Sequence, residues 1–265
     1  MTWKAKHEAH AVERMRIICE FSELVPEKVL KKACNPILDK FREFKFDTQE
    51  PAVEPPRIIQ LNGAQVALEE ANKTKGHVLR RTDGEDVLEE VGFRNSRFGY
   101  VTTTYGRWSA TLNRLGEVFF PALEPLQDVT LLKSIKIEYW DLFEFEGNAS
   151  SADTTALLSK SDPSIPDDVV KGRSTWHSHI GWFEESGGHN VLINRNLDVV
   201  DRRGADEDVI RALKLLTLVQ IQSPDEGIEI GELRTVLDDL HKVSLRVVAN
   251  TISENVKREI GMLEL

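Results

Sequence analysis

Apolar positions recur with two different periods along this chain, and the switches between them mark out its elements. Met15 to Phe21 is a short run of β-branched and apolar residues that stops at Ser22, and it predicts a strand. After Pro26, suited to a first helical turn, Val29, Leu30, Ala33, Ile37 and Phe41 return at helical spacing, so a helix follows with a kink at Pro36. Residues 47–63, rich in Pro and acidic side chains, predict a surface loop. From Gly76 the pattern shortens to strands over 77–81, 85–93 and 96–105, with Thr82-Asp83-Gly84 as the first turn, which makes an antiparallel meander. Ser109 is placed to cap a helix over 110–127 whose stripe is Leu112, Leu115, Phe119, Leu123 and Leu126, bent at Pro121. A long strand over 131–147 then alternates Ile135, Ile137, Tyr139 and Leu142, with a bulge expected near Asp141.

Residues 147–170 are rich in Ser, Asp, Ala and Pro and hold no period, so they divide a first half, 1–146, from a second, 171–265. The second half offers strands over 174–185, 189–203 and 209–222, the middle of the last also fitting a helical period. A long C-terminal helix from Gly231 to Ile260 follows, with Leu233, Leu237, Leu240, Val243, Val247 and Ile252 on one stripe. Asp238 with Lys242 and Glu254 with Arg258 are acid-first pairs four residues apart, which support that helix. The expected fold class is α+β: two similar halves, each a mainly antiparallel sheet packed by amphipathic helices.

Composition narrows the setting. The chain has 265 residues, 40% hydrophobic and 29% charged, enough to bury a core without disulfide or metal. Cys19 and Cys34 fall in the first strand and first helix, where free thiols act as small buried hydrophobes, with a disulfide between them as the alternative. With 34 Lys and Arg against 44 Asp and Glu, the net charge of -10 repels phosphate backbones and anionic lipid, which disfavours nucleic acid as a partner. The N-terminus is charged throughout and no apolar run reaches membrane-spanning length, so the expectation is a cytoplasmic protein without a membrane partner.

Five stretches carry a resemblance: "MRIICEFS", "TDGEDVLEEV", the "YGRW" of Tyr105 to Trp108 before a helix, "IKIEYWDLFEF", and "LDDLHKVSLRVVANTISENV". In their order and spacing the chain resembles a sporadically distributed bacterial and archaeal family of proteins of about 250 residues, a likeness that implies a fold and a cellular setting but transfers no mechanism. The sequence differs from that family's pattern before the linker, where Ile137 to Asp141 stands in place of an Arg-Tyr-Ile-Asn run.

Motifs for phosphate binding, nucleophile elbows and zinc sites are missing, and no cofactor is implied. His7 and His10, three apart, would share a helix face and could hold a metal, against the plainer reading of a polar terminal segment. The stretch 174–186 is richer. Paired as a hairpin around 184–189, with Phe183 opposite Asn190, it sets Trp176, Ile180 and Trp182 against Leu197, Ile193 and Val191 on one face. The other face then collects His177 opposite Asn196, His179 opposite Asn194, and Thr175 opposite Asp198. Such a patch is a candidate binding surface; two imidazoles beside a carboxylate also make His177 and His179 candidate metal ligands or bases, against the plain reading of a solvated sheet face. Tyr105 and Trp108, at a strand-to-helix handover, are candidate pocket residues or a lock of helix onto sheet. Arg80, Arg81, Arg94, Arg97 and Arg107 form either a basic strip or salt bridges to Glu85, Glu89 and Glu90.

These residues favour a non-catalytic cytosolic component that binds another protein, with a second copy of the chain as a further candidate partner. The patchy distribution implied by the resemblance suits a mobile defence or toxin-antitoxin-like system. The alternative is a metal-dependent or histidine-based enzyme using His177 and His179. A nucleic-acid binder is the third reading and the one the acidic balance opposes.

Overall fold

Two strands that the chain makes more than a hundred residues apart lie side by side at the centre of the molecule. In the computed structural model β2 (Val12–Phe21) pairs antiparallel with β9 (Leu132–Glu146), setting Ile17 against Ile137 and Met15 against Tyr139. The structure describes residues 2–53, 58–61, 64–67, 74–159, 165, 174–203, 208–223 and 225–262. On the far side of β2 follow β8 (Arg97–Thr102), β7 (Asp86–Arg94), β6 (Thr74–Asp83) and β3 (Thr48–Val53). On the far side of β9 follow β12 (Val209–Gln222), β11 (His189–Arg203) and β10 (Trp176–Ser186), while β1 (Thr2–Ala5) also pairs with β9. Every pairing is antiparallel. A single sheet therefore takes strands from both sides of residues 147–170. Of that stretch, 160–164 and 166–170 lie outside the described residues.

The alternation of β2 and β9 decides which face is covered. Met15, Ile17 and Cys19, with Ile135 and Ile137, point to one side, where they cluster with Leu30 and Ile37 of α1 (Glu27–Leu38), Leu115 of α2 (Trp108–Val118) and Leu237 of α4 (Leu233–Thr251). A second cluster joins Phe143, Phe145, Leu197, Val199 and Leu213 to Val248, and to Val256 of α5 (Glu254–Glu259). Cys19 and Cys34 are free thiols in the first core, and burial pushes both well above the usual thiol range.

Several expectations change. Residues 47–63 are not all loop: β3 pairs with β6, and β4 (Ile58–Leu61) pairs with β5 (Ala64–Ala67). The carboxylate of Asp47 accepts from the backbone N–H and hydroxyl of Thr82, at 2.7 and 3.0 Å, and so anchors β3, whose Pro51 is tolerated on a sheet edge. The helix expected over 110–127 breaks at Phe119 and resumes as α3 (Phe120–Leu123), because Pro121 has no N–H to continue the ladder. Ser109 does not cap it; Arg107 is the cap residue and offers no side-chain bond. The bulge near Asp141 lies in the neighbouring strand, where Glu13 is the extra residue between Val12 and Arg14. The C-terminal helix is interrupted at Ile252, which turns extended and bridges Leu158, while Ser159 N–H bonds Thr251 O and Ser253 N–H bonds Leu157 O, both at 2.8 Å.

Candidate functional site

The hairpin of β10 and β11 turns on Gly187-Gly188, both at positive φ (60° and 79°), so Ser186 pairs with His189. A two-residue turn of this kind matches the right-handed twist of the strands. It is shorter than the loop expected over 184–189, and the register is displaced by two residues. Phe183 lies opposite Leu192 rather than Asn190, His177 opposite Asp198, His179 opposite Asn196, and Asn194 opposite Gly181; Thr175 precedes the paired strand. A displacement of two preserves the faces, since side chains alternate with period two. Trp176 and Trp182 are half-buried against the cores and Ile180 is half-buried on the same face, while His177 and His179 are exposed on the other side, where Asn194, Asn196 and Asp198 are half-buried. The amide of Asn194 fills the space above Gly181, where an added Cβ would lie 2.3 Å from its Oδ1. The patch is thus a continuous polar strip along two strands, with Phe183, 66% exposed, at its turn end. Among the described residues no strand pairs with the outer edge of β10.

Tyr105 and Trp108 are not part of that strip. They line a cleft of about 310 Å³ on the opposite face of the sheet, where β2, β9, the start of α2 and the middle of α4 meet. His10 from the N-terminal turn, Arg107 and Ser109 beside Trp108, Tyr139 and Asp141 from β9, and His241 and Ser244 from α4 add its polar groups. The Tyr139 hydroxyl and His241 Nδ1 are 2.8 Å apart in a buried contact. Trp108 stacks on the His241 ring, with centroids 4.4 Å apart and planes 17° from parallel, and its Nε1–H donates to Asp238 at 2.8 Å. The Tyr105 ring meets Tyr139 and His10 edge-on, with centroids 5.8 and 5.4 Å apart. Trp108 therefore ties α2 to α4, and not directly to the sheet, through the same contacts that wall the cleft.

Asp141 is the residue that sequence reading missed. Its side chain is only 5% exposed, it lies between Tyr139 of one core cluster and Phe143 of the other, and its Oδ2 has no hydrogen-bond partner. Burial lifts its carboxyl to about 7. Burial also holds the His241 imidazole down at about 4, so that ring is neutral at physiological pH, and it pushes Tyr105 up to about 12. Acids and bases shifted by burial and lining one cleft make it a candidate functional site. The signal was present: Asp141 continues the inward alternation Ile135, Ile137, Tyr139, and His241 lies beside the apolar stripe Leu237, Leu240, Val243.

His7 and His10 do not lie on a helix. They close a tight turn as a β-bridge, with ring centroids 4.7 Å apart. Among the described residues no group of three or more His, Cys, Asp or Glu side chains is arranged to hold a metal ion, His177 and His179 included. Salt bridges absorb part of the arginine cluster: Arg80 pairs with Glu90 and Glu50, and Arg81 with Glu89, which also binds Arg114 at 2.8 Å. The wider cleft beside Glu89, of about 770 Å³, is accordingly lined by charges that already neutralise one another. No helix among the described residues is long and apolar enough to cross a membrane. No protein-family model matches the sequence, and no curated protein is significantly similar to it.

Proposed function

We propose that the protein is a non-catalytic interaction component that docks a partner protein on β10. One observation carries the reading: an 11-residue edge strand whose outer edge pairs with no strand among the described residues, beside a polar strip of exposed His177 and His179 and half-buried Asn194, Asn196 and Asp198. An unpaired strand edge binds an extended segment through main-chain hydrogen bonds, and side chains next to it supply selectivity. Phe183 provides an apolar anchor and the imidazoles provide hydrogen-bonding groups. A second copy of the chain could use the same edge in a two-fold pairing.

We also read the fold as an internal duplication. The repeat boundary then falls before β9 and not at 147–170: β2 and β9 each pair with the last strand of a three-stranded meander, β6-β7-β8 or β10-β11-β12, with a helix next in sequence, α2 or α4. A cytosolic accessory role, in a mobile defence or toxin-antitoxin-like system, fits the resemblance to a sporadically distributed prokaryotic family.

The test is to recover the tagged chain from its own host, reconstitute any co-purifying protein with it, and compare wild type with the His177→Ala/His179→Ala and Phe183→Asp variants. Loss of about tenfold or more in affinity is expected for interface anchors. A chain that is monomeric by light scattering and recovers no stoichiometric protein, or a partner bound equally by all three forms, removes the proposal.

A further inference from the structure

We propose that the cleft around Asp141 binds a small organic ammonium ion, with the carboxylate of Asp141 as its counter-ion and the rings of Tyr105 and Tyr139 as its walls. This site is separate from the β10 edge and stands or falls independently of it.

Three features of the cleft select that chemistry. Oδ2 of Asp141 is enclosed and unpartnered at the floor, in a fold that otherwise pairs its buried carboxylates, as Glu89 does with Arg81 and Arg114 and Glu138 with Arg16 and Lys136. A buried acceptor without a donor costs free energy, and a ligand N–H would supply that donor. The walls are aromatic, and ring faces attract a desolvated cation. Tyr139 and His241 bind each other, and Trp108 donates to Asp238, which leaves Asp141 Oδ2 and His10 Nδ1 as buried acceptors of the cleft without a partner, and of the two only Asp141 can carry the negative charge that pairs with a cation.

Protonation follows from the geometry. The titratable and charged groups facing the cleft are His10 from the N-terminal turn, Tyr105 and Arg107 from the segment before α2, Tyr139 from β9 itself and His241 from α4. Arg107 is exposed at the rim, and burial, not a neighbouring charge, sets the Asp141 carboxyl. An ammonium ion bound there would hold Asp141 ionised and displace its proton. Affinity should therefore rise as pH increases through neutrality, while the amine remains charged.

The probe is benzylammonium, with benzyl alcohol and benzoate as neutral and anionic analogues of similar shape. Binding is followed by ligand-observed NMR on wild type and Asp141→Asn between pH 6 and 8. A fragment of this size should bind in the millimolar range, and the charge-assisted bond should favour the ammonium over the alcohol by about tenfold. In Asp141→Asn that preference and the pH dependence should both disappear, while the circular dichroism spectrum stays that of wild type. Replacing Asp141 by its neutral isostere keeps the shape of the cleft; should Asp141→Asn nevertheless fail to fold, the three-probe series and pH profile on wild type decide alone. Equal binding of the three probes, no binding of benzylammonium to wild type, or an ammonium preference that survives in Asp141→Asn overturns the proposal.

Discussion

The hydroxyl of Tyr139 lies 2.8 Å from Nδ1 of His241, joining the central strand of the sheet to the long C-terminal helix across 102 residues of sequence. Both groups are buried, His241 being 7% exposed, so neither can turn to water when the other is removed. Tyr139→Phe leaves an orphaned imidazole nitrogen and should cost about 1–3 kcal/mol in denaturant-induced unfolding. A cost below about 0.5 kcal/mol would mean that the contact contributes nothing to stability.

Asp141 and His241 titrate against each other. For Asp141 the folded value, about 7, stands above the unfolded 3.8, so its contribution is complete at low pH and is lost as pH rises between them. For His241 the folded value, about 4, stands below the unfolded 6.5, so its contribution is complete above 6.5 and is lost as pH falls toward 4. From about pH 4 to 6.5 the folded state keeps one proton the unfolded chain has shed and lacks one it has gained, and the two slopes nearly cancel. Asp141→Asn should therefore steepen the rise of stability with pH in this window, and His241→Gln should turn it into a fall. Across the window each change amounts to a few kcal/mol, since one proton taken up or released on unfolding tilts stability by about 1.4 kcal/mol for every pH unit. Unfolding curves at half-unit steps from pH 4.5 to 7.5 would read this, and three parallel profiles would refute it.

Trp108 and Asp238 form the second tie between α2 and α4. Asp238 also accepts from Lys242 at 2.9 Å, and these two donors, Lys242 first, hold its carboxyl below the usual carboxylate range. A double-mutant cycle with Trp108→Phe and Asp238→Ala should return a coupling of about 1 kcal/mol, the value of one hydrogen bond. Additive single costs would show that the contact is incidental.

Gly76 tolerates no side chain. Its φ is +154°, and a Cβ there would fall 1.7 Å from the carbonyl oxygen of Phe93 on the paired strand, so β6 and β7 would have to separate. Gly76→Ala should cost more than about 4 kcal/mol, whereas Gly84→Ala, strained at φ +60° but with open space around it, should cost about 1 kcal/mol. Equal soluble yields and equal unfolding midpoints for the two variants would contradict this.

Local pattern made much of this fold readable and left its seam invisible. The strand periods placed β2, the β6-β7-β8 meander and β10-β11-β12, because each half-buried strand must show alternation whatever it pairs with. The faces of β10 and β11 survived an error in turn length because a slip of two residues is silent in a pattern of period two. Helix ends were less legible. Ile252 is apolar and fits the stripe of α4, yet Leu158 draws it into a bridge, an interaction between segments that no local window contains. The cleft was half seen: Tyr105 and Trp108 were marked by their place before a helix, but Asp141 and His241 acquire meaning only once β9 and α4 are packed together. A charged residue on an inward position is the sequence signal to weigh, since burying it unpaired is costly enough to require a reason.

The central pairing of β2 with β9 also sets an order of events on the ribosome. β2 can zip to β8 once residue 102 has emerged, but its other flank has no neighbour until residues 132–146 are made. At about 5–20 residues per second the nascent chain carries that open apolar edge for a few seconds. One flank of β2 thus stays unpaired until β9 has been made.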